Sequence, residues 1–189
     1  MKHLPLLFTC FLLYSCTNNH HLIKTIGQFT GQQITLSSDW DAVWKSRDTV
    51  LTSFFDAPIK LVVWYDSLGC LSCEAGKMDA WNDIVSDADS LATWFRIIFL
   101  FTPKKDGLQK AFIASRSDKL NYPIFIDQHA TFLKQNPKFP KNRLLHSFLL
   151  DKNNKVVLVG NPLHNPGLWA LYKRTIQMMI DNNGVLLEK

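Results

Sequence analysis

The chain has 189 residues, 47% of them hydrophobic and 12% aromatic, enough apolar material for one core with short appendages. Eight glycines and eight prolines are too few for a collagen-like or low-complexity chain. The 21 Lys+Arg exceed the 16 Asp+Glu by a +5 that is spread thinly along the sequence, whereas a nucleic-acid partner requires a dense basic face, so none is expected. The four cysteines carry more information, because they are not equivalent.

Met1-Lys2-His3 is a short positive start, and Leu4 to Tyr14 is an apolar run. That run is too short for a permanent membrane helix, which takes ~20 residues. It ends in Leu13-Tyr14-Ser15-Cys16, which resembles the lipobox of bacterial lipoproteins, with Tyr14 where a small residue is usual. The resemblance implies a lipoprotein signal peptide over residues 1–15, a lipid on Cys16 and a polar tether over residues 16–26. It places the protein in the bacterial cell envelope, held to a membrane by that lipid and facing the periplasm or the outer surface, an oxidising compartment. His20-His21 have no third ligand nearby and read as solvated tether.

In chain order, Gly31 to Leu36 alternates weakly and predicts an edge strand. Ser37-Ser38-Asp39 predicts the cap of a short helix carrying Trp40, Val43 and Trp44. With Phe54-Phe55, these tryptophans read as core of an N-terminal extension, the alternative being an exposed partner surface. Ile59 to Tyr65 contains the unbroken run Leu61-Val62-Val63-Trp64, which suits a central strand covered on both faces. Met78, Trp81, Ile84 and Val85 then recur at helical spacing. Trp94 to Phe101 is a second strand-like run. Leu108, Ala111, Phe112 and Ser115 predict a helix, Tyr122 to Ile126 a short strand opened by Pro123, and Ala130 to Leu133 a brief helix. Ser147 to Leu150 and Lys155 to Val159 flank Asp151-Lys152-Asn153-Asn154, a hairpin turn. Leu168, Leu171, Tyr172, Thr175, Ile176, Met179 and Ile180 share one face of a terminal helix ending near Gly184. Strands alternating with helices define an α/β domain, and the closing hairpin makes its central sheet mixed.

Cys70-Leu71-Ser72-Cys73 falls where the buried strand ends and the helical spacing begins. A helix start offers unpaired N–H groups and partial positive charge, which favour a thiolate, and the thiolate is the nucleophile. The two-residue spacer brings the second sulfur within reach of the first, so a mixed disulfide can be resolved internally. Cys70 is thus the exposed attacking cysteine and Cys73 the buried resolving one, one turn into the helix. A zinc half-site and an inert structural disulfide use the same spacing. Zinc needs two further ligands, and His129, His146 and His164 are scattered singly, so no metal is expected. Asp66 and Glu74 flank the motif and could pass protons to Cys73, or act as solvated surface and cap residues. Negative charge there raises a thiol pKa, opposing the helix start.

Ile59 to Val85, the Tyr122-Pro123-Ile124-Phe125-Ile126-Asp127 stretch and the Phe148-Leu149-Leu150-Asp151-Lys152-Asn153 turn together resemble a thioredoxin-like domain of the TlpA/ResA type, membrane-tethered thiol–disulfide oxidoreductases. The resemblance covers residues 27–182, within a domain spanning 27–189. It implies a thioredoxin fold, a mixed central sheet flanked by helices, with an N-terminal extension and an inserted strand–helix element. It also implies dithiol–disulfide exchange at Cys70 and Cys73 without a bound cofactor. The expected partners are client proteins with thiols or disulfides and an upstream redox partner, served by a monomer.

Three departures from that family stand out. Gly69, not Trp, precedes Cys70, and the spacer lacks Pro. Leu145 stands where the family has the cis-proline of the loop that packs beside the disulfide and pairs with the client backbone. A cis bond before a non-proline costs ~2.5–4 kcal/mol, so a trans bond is expected there. His146 follows; against the motif its imidazolium would stabilise the Cys70 thiolate, and otherwise it is a histidine packed at a strand edge. Two rival readings share the fold. A thiol peroxidase has Ser67 three residues before Cys70 in its favour, but Val63 replaces the expected Pro and Leu145 the arginine, with Arg143 nearby. A non-catalytic binding or assembly lipoprotein with a structural disulfide fits the loss of the proline.

Overall fold

The long apolar runs of the sequence become the middle of one sheet, where strands on either side and helices above and below keep both faces dry. The structure, a computed structural model, describes residues 20–45, 47–49, 51, 53–66, 71–103, 113, 114 and 116–187. Its elements are helix α1 (20–29), strands β1 (Asp41–Trp44) and β2 (Arg47–Thr49), helix α2 (Ser53–Asp56), strand β3 (Ile59–Tyr65), helices α3 (Leu71–Ala75) and α4 (Asn82–Asp89), strands β4 (Phe95–Phe101) and β5 (Ile124–Ile126), helix α5 (Thr131–Gln135), strands β6 (Ser147–Leu150) and β7 (Val156–Val159), and helix α6 (Pro166–Asp181). Short 3-10 turns lie at Met78–Trp81 and Arg143–Leu145.

Among the described residues the seven strands form one sheet in the order β2-β1-β5-β4-β3-β6-β7. β3, β4 and β5 run parallel, with Val63 opposite Phe99 and Phe99 opposite Ile124. β6 returns antiparallel beside β3 and β7 antiparallel beside β6, so the sheet is mixed as expected. The predicted hairpin turn closes on Asp151, whose Oδ1 accepts from the N–H groups of Asn153 and Lys155, each at 2.8 Å, while Asn154 takes a left-handed φ of 57°.

Successive residues of β3 point to opposite faces. On one face Trp64 packs edge-on against Phe139 at 5.2 Å and tilted against Phe132 at 5.5 Å, and Phe139 meets Phe29 of α1 at 5.3 Å. On the other, Tyr65 stacks on Phe101 at 4.5 Å and Trp81 meets Phe99 at 5.1 Å. Phe29, Trp81, Phe99, Phe101 and Phe132, fully buried among these, each contribute ~1.5–3 kcal/mol over exposure. Met78, Trp81, Ile84 and Val85 are all buried, as their spacing predicts, though the first two lie on the 3-10 turn rather than the helix. α6 buries Tyr172, Thr175, Ile176 and Met179 and ends on Asn183, in the left-handed region, with Gly184 N–H bonded to Met179 C=O at 2.7 Å. Leu171, expected on that buried face, is exposed.

Four local expectations change. Residues 41–44 form β1, not a helix, because Ala42 and Val43 pair with Phe125 and Ile124 of β5 and both are buried. Trp40 and Phe54 are core residues as expected, but Trp44 is 45% exposed. Gly31 to Leu36 makes a single bridge, Gln33 to Lys155, plus flanking bonds such as Ile34 N–H to Asn154 C=O, not a full strand. Finally, residues 20–29 are helical, and Leu22 and Ile26 lie against the core although 16–26 reads as tether. His20 and His21 are exposed. The helix expected over Leu108, Ala111, Phe112 and Ser115 lies outside the described residues, as do the signal segment and Cys16.

Candidate redox site

β3 delivers the site. Its last residue, Tyr65, is followed by buried Asp66, and α3 begins five residues later at Leu71, so the motif bridges the end of the central strand and the first turn of helix. Cys70 lies outside the described residues, together with Ser67 and Gly69. Cys73 is exposed, not buried as the sequence predicts, because it sits on the short turn α3, and its sulfur is in a disulfide. α3 is a single five-residue turn, closed at Lys77 N–H to Glu74 C=O, 3.0 Å, before the 3-10 turn and α4. The helix that the spacing predicts as continuous is therefore segmented, and the dipole available to a thiolate sums over fewer aligned peptides than expected.

Beside it is a cavity of about 180 Å³, lined by Asp66, Glu74, Arg143, His146 and Asn161 with the end of β3. Asp66 is 9% exposed and accepts from the guanidinium of Arg143 at both oxygens, with Nε to Oδ2 at 3.1 Å and NH2 to Oδ1. This corrects the reading of Asp66 as a solvated flank. Glu74, by contrast, is exposed as that reading expects. The Asp66 carboxylate raises the pKa of Arg143 through that bond and its charge.

His146 is 5% exposed, with its ring centroid 4.5 Å from that of Trp64. Its Nε2 lies 3.2 Å from the Pro140 carbonyl, its C=O accepts from Trp64 N–H at 2.9 Å, and its Nδ1 is 4.0 Å from Asp66 Oδ2. Burial lowers its pKa below the usual histidine value, although the Pro140 carbonyl and Asp66 oppose that shift. Burial thus disfavours the imidazolium, and the ring packed on Trp64 matches the alternative of a histidine at a strand edge. Burial likewise pushes the Tyr65 phenol up.

Leu145 is 1% exposed and belongs to the 3-10 turn Arg143–Leu145; its peptide bond is trans, as are all others among the described residues. The turn is capped by Asn142, whose Oδ1 accepts from Leu144 N–H at 3.0 Å, while Leu145 N–H reaches Asn142 C=O and His146 N–H reaches Arg143 C=O. The structure thus brings Asp66, Glu74, His146 and Arg143 to one cavity next to Cys73. The sequence reading missed the Asp66–Arg143 pair; the two are 77 residues apart, and no local pattern joins them. Among the described residues no cluster of three or more His, Cys, Asp or Glu could hold a metal, and no helix is long and apolar enough to cross a membrane.

No protein-family model and no curated protein matches the chain. Solved structures do. AhpC from Enterococcus faecalis is 12% identical with a TM-score of 0.52, covering 85% of this chain and 99% of that one. A hypothetical protein from Sinorhizobium meliloti 1021 is 13% identical with a TM-score of 0.50, covering 85% and 92%. The thioredoxin domain of a thiol-disulfide oxidoreductase from Bacteroides vulgatus is 20% identical with a TM-score of 0.45, covering 75% and 96%. At these identities the likeness concerns the fold. The chain has the thioredoxin fold, with α1, β1 and β2 as the N-terminal extension and β5 and α5 within the insertion between β4 and β6.

Proposed function

We propose that the protein is a membrane-anchored thiol–disulfide oxidoreductase in which Cys70 and Cys73 exchange with disulfides of exported client proteins. The observation that carries this reading is the exposed Cys73, already in a disulfide, at the head of the helix that follows the central strand of a thioredoxin fold. The pairing of Cys73 with Cys70 is part of the proposal. Cys70 thiolate attacks the client disulfide, a mixed disulfide forms, and Cys73 displaces the client thiol and regenerates the pair. An upstream redox partner then sets the direction. Lipidation of Cys16 would hold the domain at a membrane of the cell envelope, where disulfides persist. No cofactor is required for this chemistry.

The same fold with a structural disulfide would serve as a non-catalytic binding module, and the buried Leu145 in its 3-10 turn favours that second reading. The peroxidase reading is weakened by Arg143, the stand-in for its arginine, because Asp66 engages that guanidinium. The reduction potential of the Cys70–Cys73 pair discriminates. Mature protein, cut before Cys16 and lipidated there, is equilibrated in graded thiol buffers, and its two remaining thiols are counted by alkylation mass shift. The expected value lies in the working range of roughly −120 to −270 mV, whereas a value below about −300 mV marks a structural disulfide. In parallel, Cys73→Ser should trap client proteins as mixed disulfides in a native extract, and an empty trap would sink the exchange mechanism.

A further inference from the structure

Thr17, Asn18 and Asn19 separate Cys16 from His20, the first described residue of α1. Four residue steps span at most ~14 Å even when fully extended. A lipid on Cys16 therefore keeps this turn of α1 close to the headgroups, where the sequence alone suggests a longer, looser tether. α1 has two unlike faces. Leu22 and Ile26 pack on the core, and Phe29, 1% exposed, meets Phe139 and Phe148 at 5.3 Å each. The opposite face carries His20, Ile23, Lys24, Gly27 and Gln28 at helical spacing, all exposed. Ile23, at 69%, is the most exposed large apolar side chain among the described residues. No acidic residue precedes Asp39 in the chain, so α1 brings no charge that repels an anionic surface, and Lys24 attracts one.

We propose that the outward face of α1 is a membrane-docking surface, lying on the bilayer that holds the Cys16 lipid. Ile23 enters the headgroup layer and Lys24 faces lipid phosphates. The inference rests on the lipidation in the reading above and goes beyond it, because a lipid alone leaves the domain free to turn. The short tether holds this face at an effective concentration of about millimolar, so a contact too weak to recruit a free helix suffices. The layers of the fold then set the orientation. α1 covers the Trp64 face of the sheet through Phe139. Trp81 covers Phe99 on the other face, and there Asp87 of α4 accepts from Trp169 of α6. With α1 on lipid, the layer of α4 and α6, into which α3 and its Cys73 lead, faces away from the membrane toward soluble clients.

Lysine acylation, read by mass spectrometry, tests whether this face is covered. The mature lipidated protein is bound to vesicles of phosphatidylethanolamine and phosphatidylglycerol and compared with lipidated Ile23→Asp on the same vesicles. Lys173, exposed on α6, is the internal reference. Relative to Lys173, Lys24 should react about tenfold slower in the wild type than in the variant. Equal rates in the two proteins, with the lipid present on the N-terminal peptide, overturn the docking and leave the anchor standing. Protection of Lys24 that rises with the protein-to-lipid ratio assigns the face to a second copy and also overturns it. An N-terminal peptide without lipid removes the anchor itself, and the docking with it.

Discussion

At the residue scale, His146 links stability to pH. Its folded-state pKa lies below the ordinary 6.5, with burial the largest cause, so the native oxidised protein binds fewer protons there than the unfolded chain does. The histidine contribution is therefore fully present above pH ~6.5 and is lost as pH falls from that value through the lower folded one. The urea midpoint of the oxidised protein should drop between about pH 7.5 and about pH 5, and His146→Gln should flatten that slope in the same window. Carboxylates titrate below it, so a slope unchanged by the substitution would show that another group is responsible.

At the element scale, two ends of the fold meet at Gly184. The glycine has φ +88°, its C=O accepts from Lys152 N–H at 2.9 Å, and a Cβ built on it would lie 3.1 Å from Lys152 Cβ and 3.2 Å from Pro58 Cβ. It thus joins the end of α6 to the β6–β7 turn and to the residue before β3. Gly184→Ala should cost ~1–3 kcal/mol, from strain at positive φ together with the close approach. That corresponds to a fall in Tm of several degrees by calorimetry. Spacing alone locates the end of α6 near this glycine, because helix termination by left-handed residues is local chemistry. Which atoms crowd it is not local, as Pro58 and Lys152 both stand far back along the chain. The same α6 is tied to α4 by Asp87, which accepts from Trp169 Nε1–H at 2.9 Å and pairs with Lys173 at 3.1 Å; the tryptophan bond is the larger cause of its lowered pKa.

At the scale of the whole molecule, the N-terminal extension is joined to the insertion by the β1–β5 pairing and by a buried amide. Asn136 accepts from Thr35 N–H at 2.8 Å and donates to Thr35 C=O at 2.9 Å and Phe132 C=O at 2.8 Å. Trp40 reinforces the contact, donating through Nε1 to Thr131 Oγ1 at 2.8 Å. Asn136→Ala leaves the Thr35 groups without that partner, at ~1–3 kcal/mol. Hydrogen exchange should quicken at the amides of residues 34–37, and the Cys70–Cys73 potential reports whether the loosening travels through Phe132 to Trp64, which lines the Asp66 cavity. A shifted potential would mean that the extension helps shape the redox site.

The sequence by itself determined the elements whose signal is carried by near neighbours. Ile59 to Tyr65 and Trp94 to Phe101 read as buried strands because neither face has a polar alternation to expose, and the Asp151-Lys152-Asn153-Asn154 turn because its side chain and left-handed residue bond locally. The position of Cys73 after the central strand was legible on the same basis. Tertiary structure alone decided that residues 41–44 extend, because the partner that makes them a strand, β5, lies about 80 residues along the chain. It alone joined Asp66 to Arg143 and lowered the pKa of His146. Protonation depends on burial and on which charges stand a few ångströms away, and a linear pattern specifies neither.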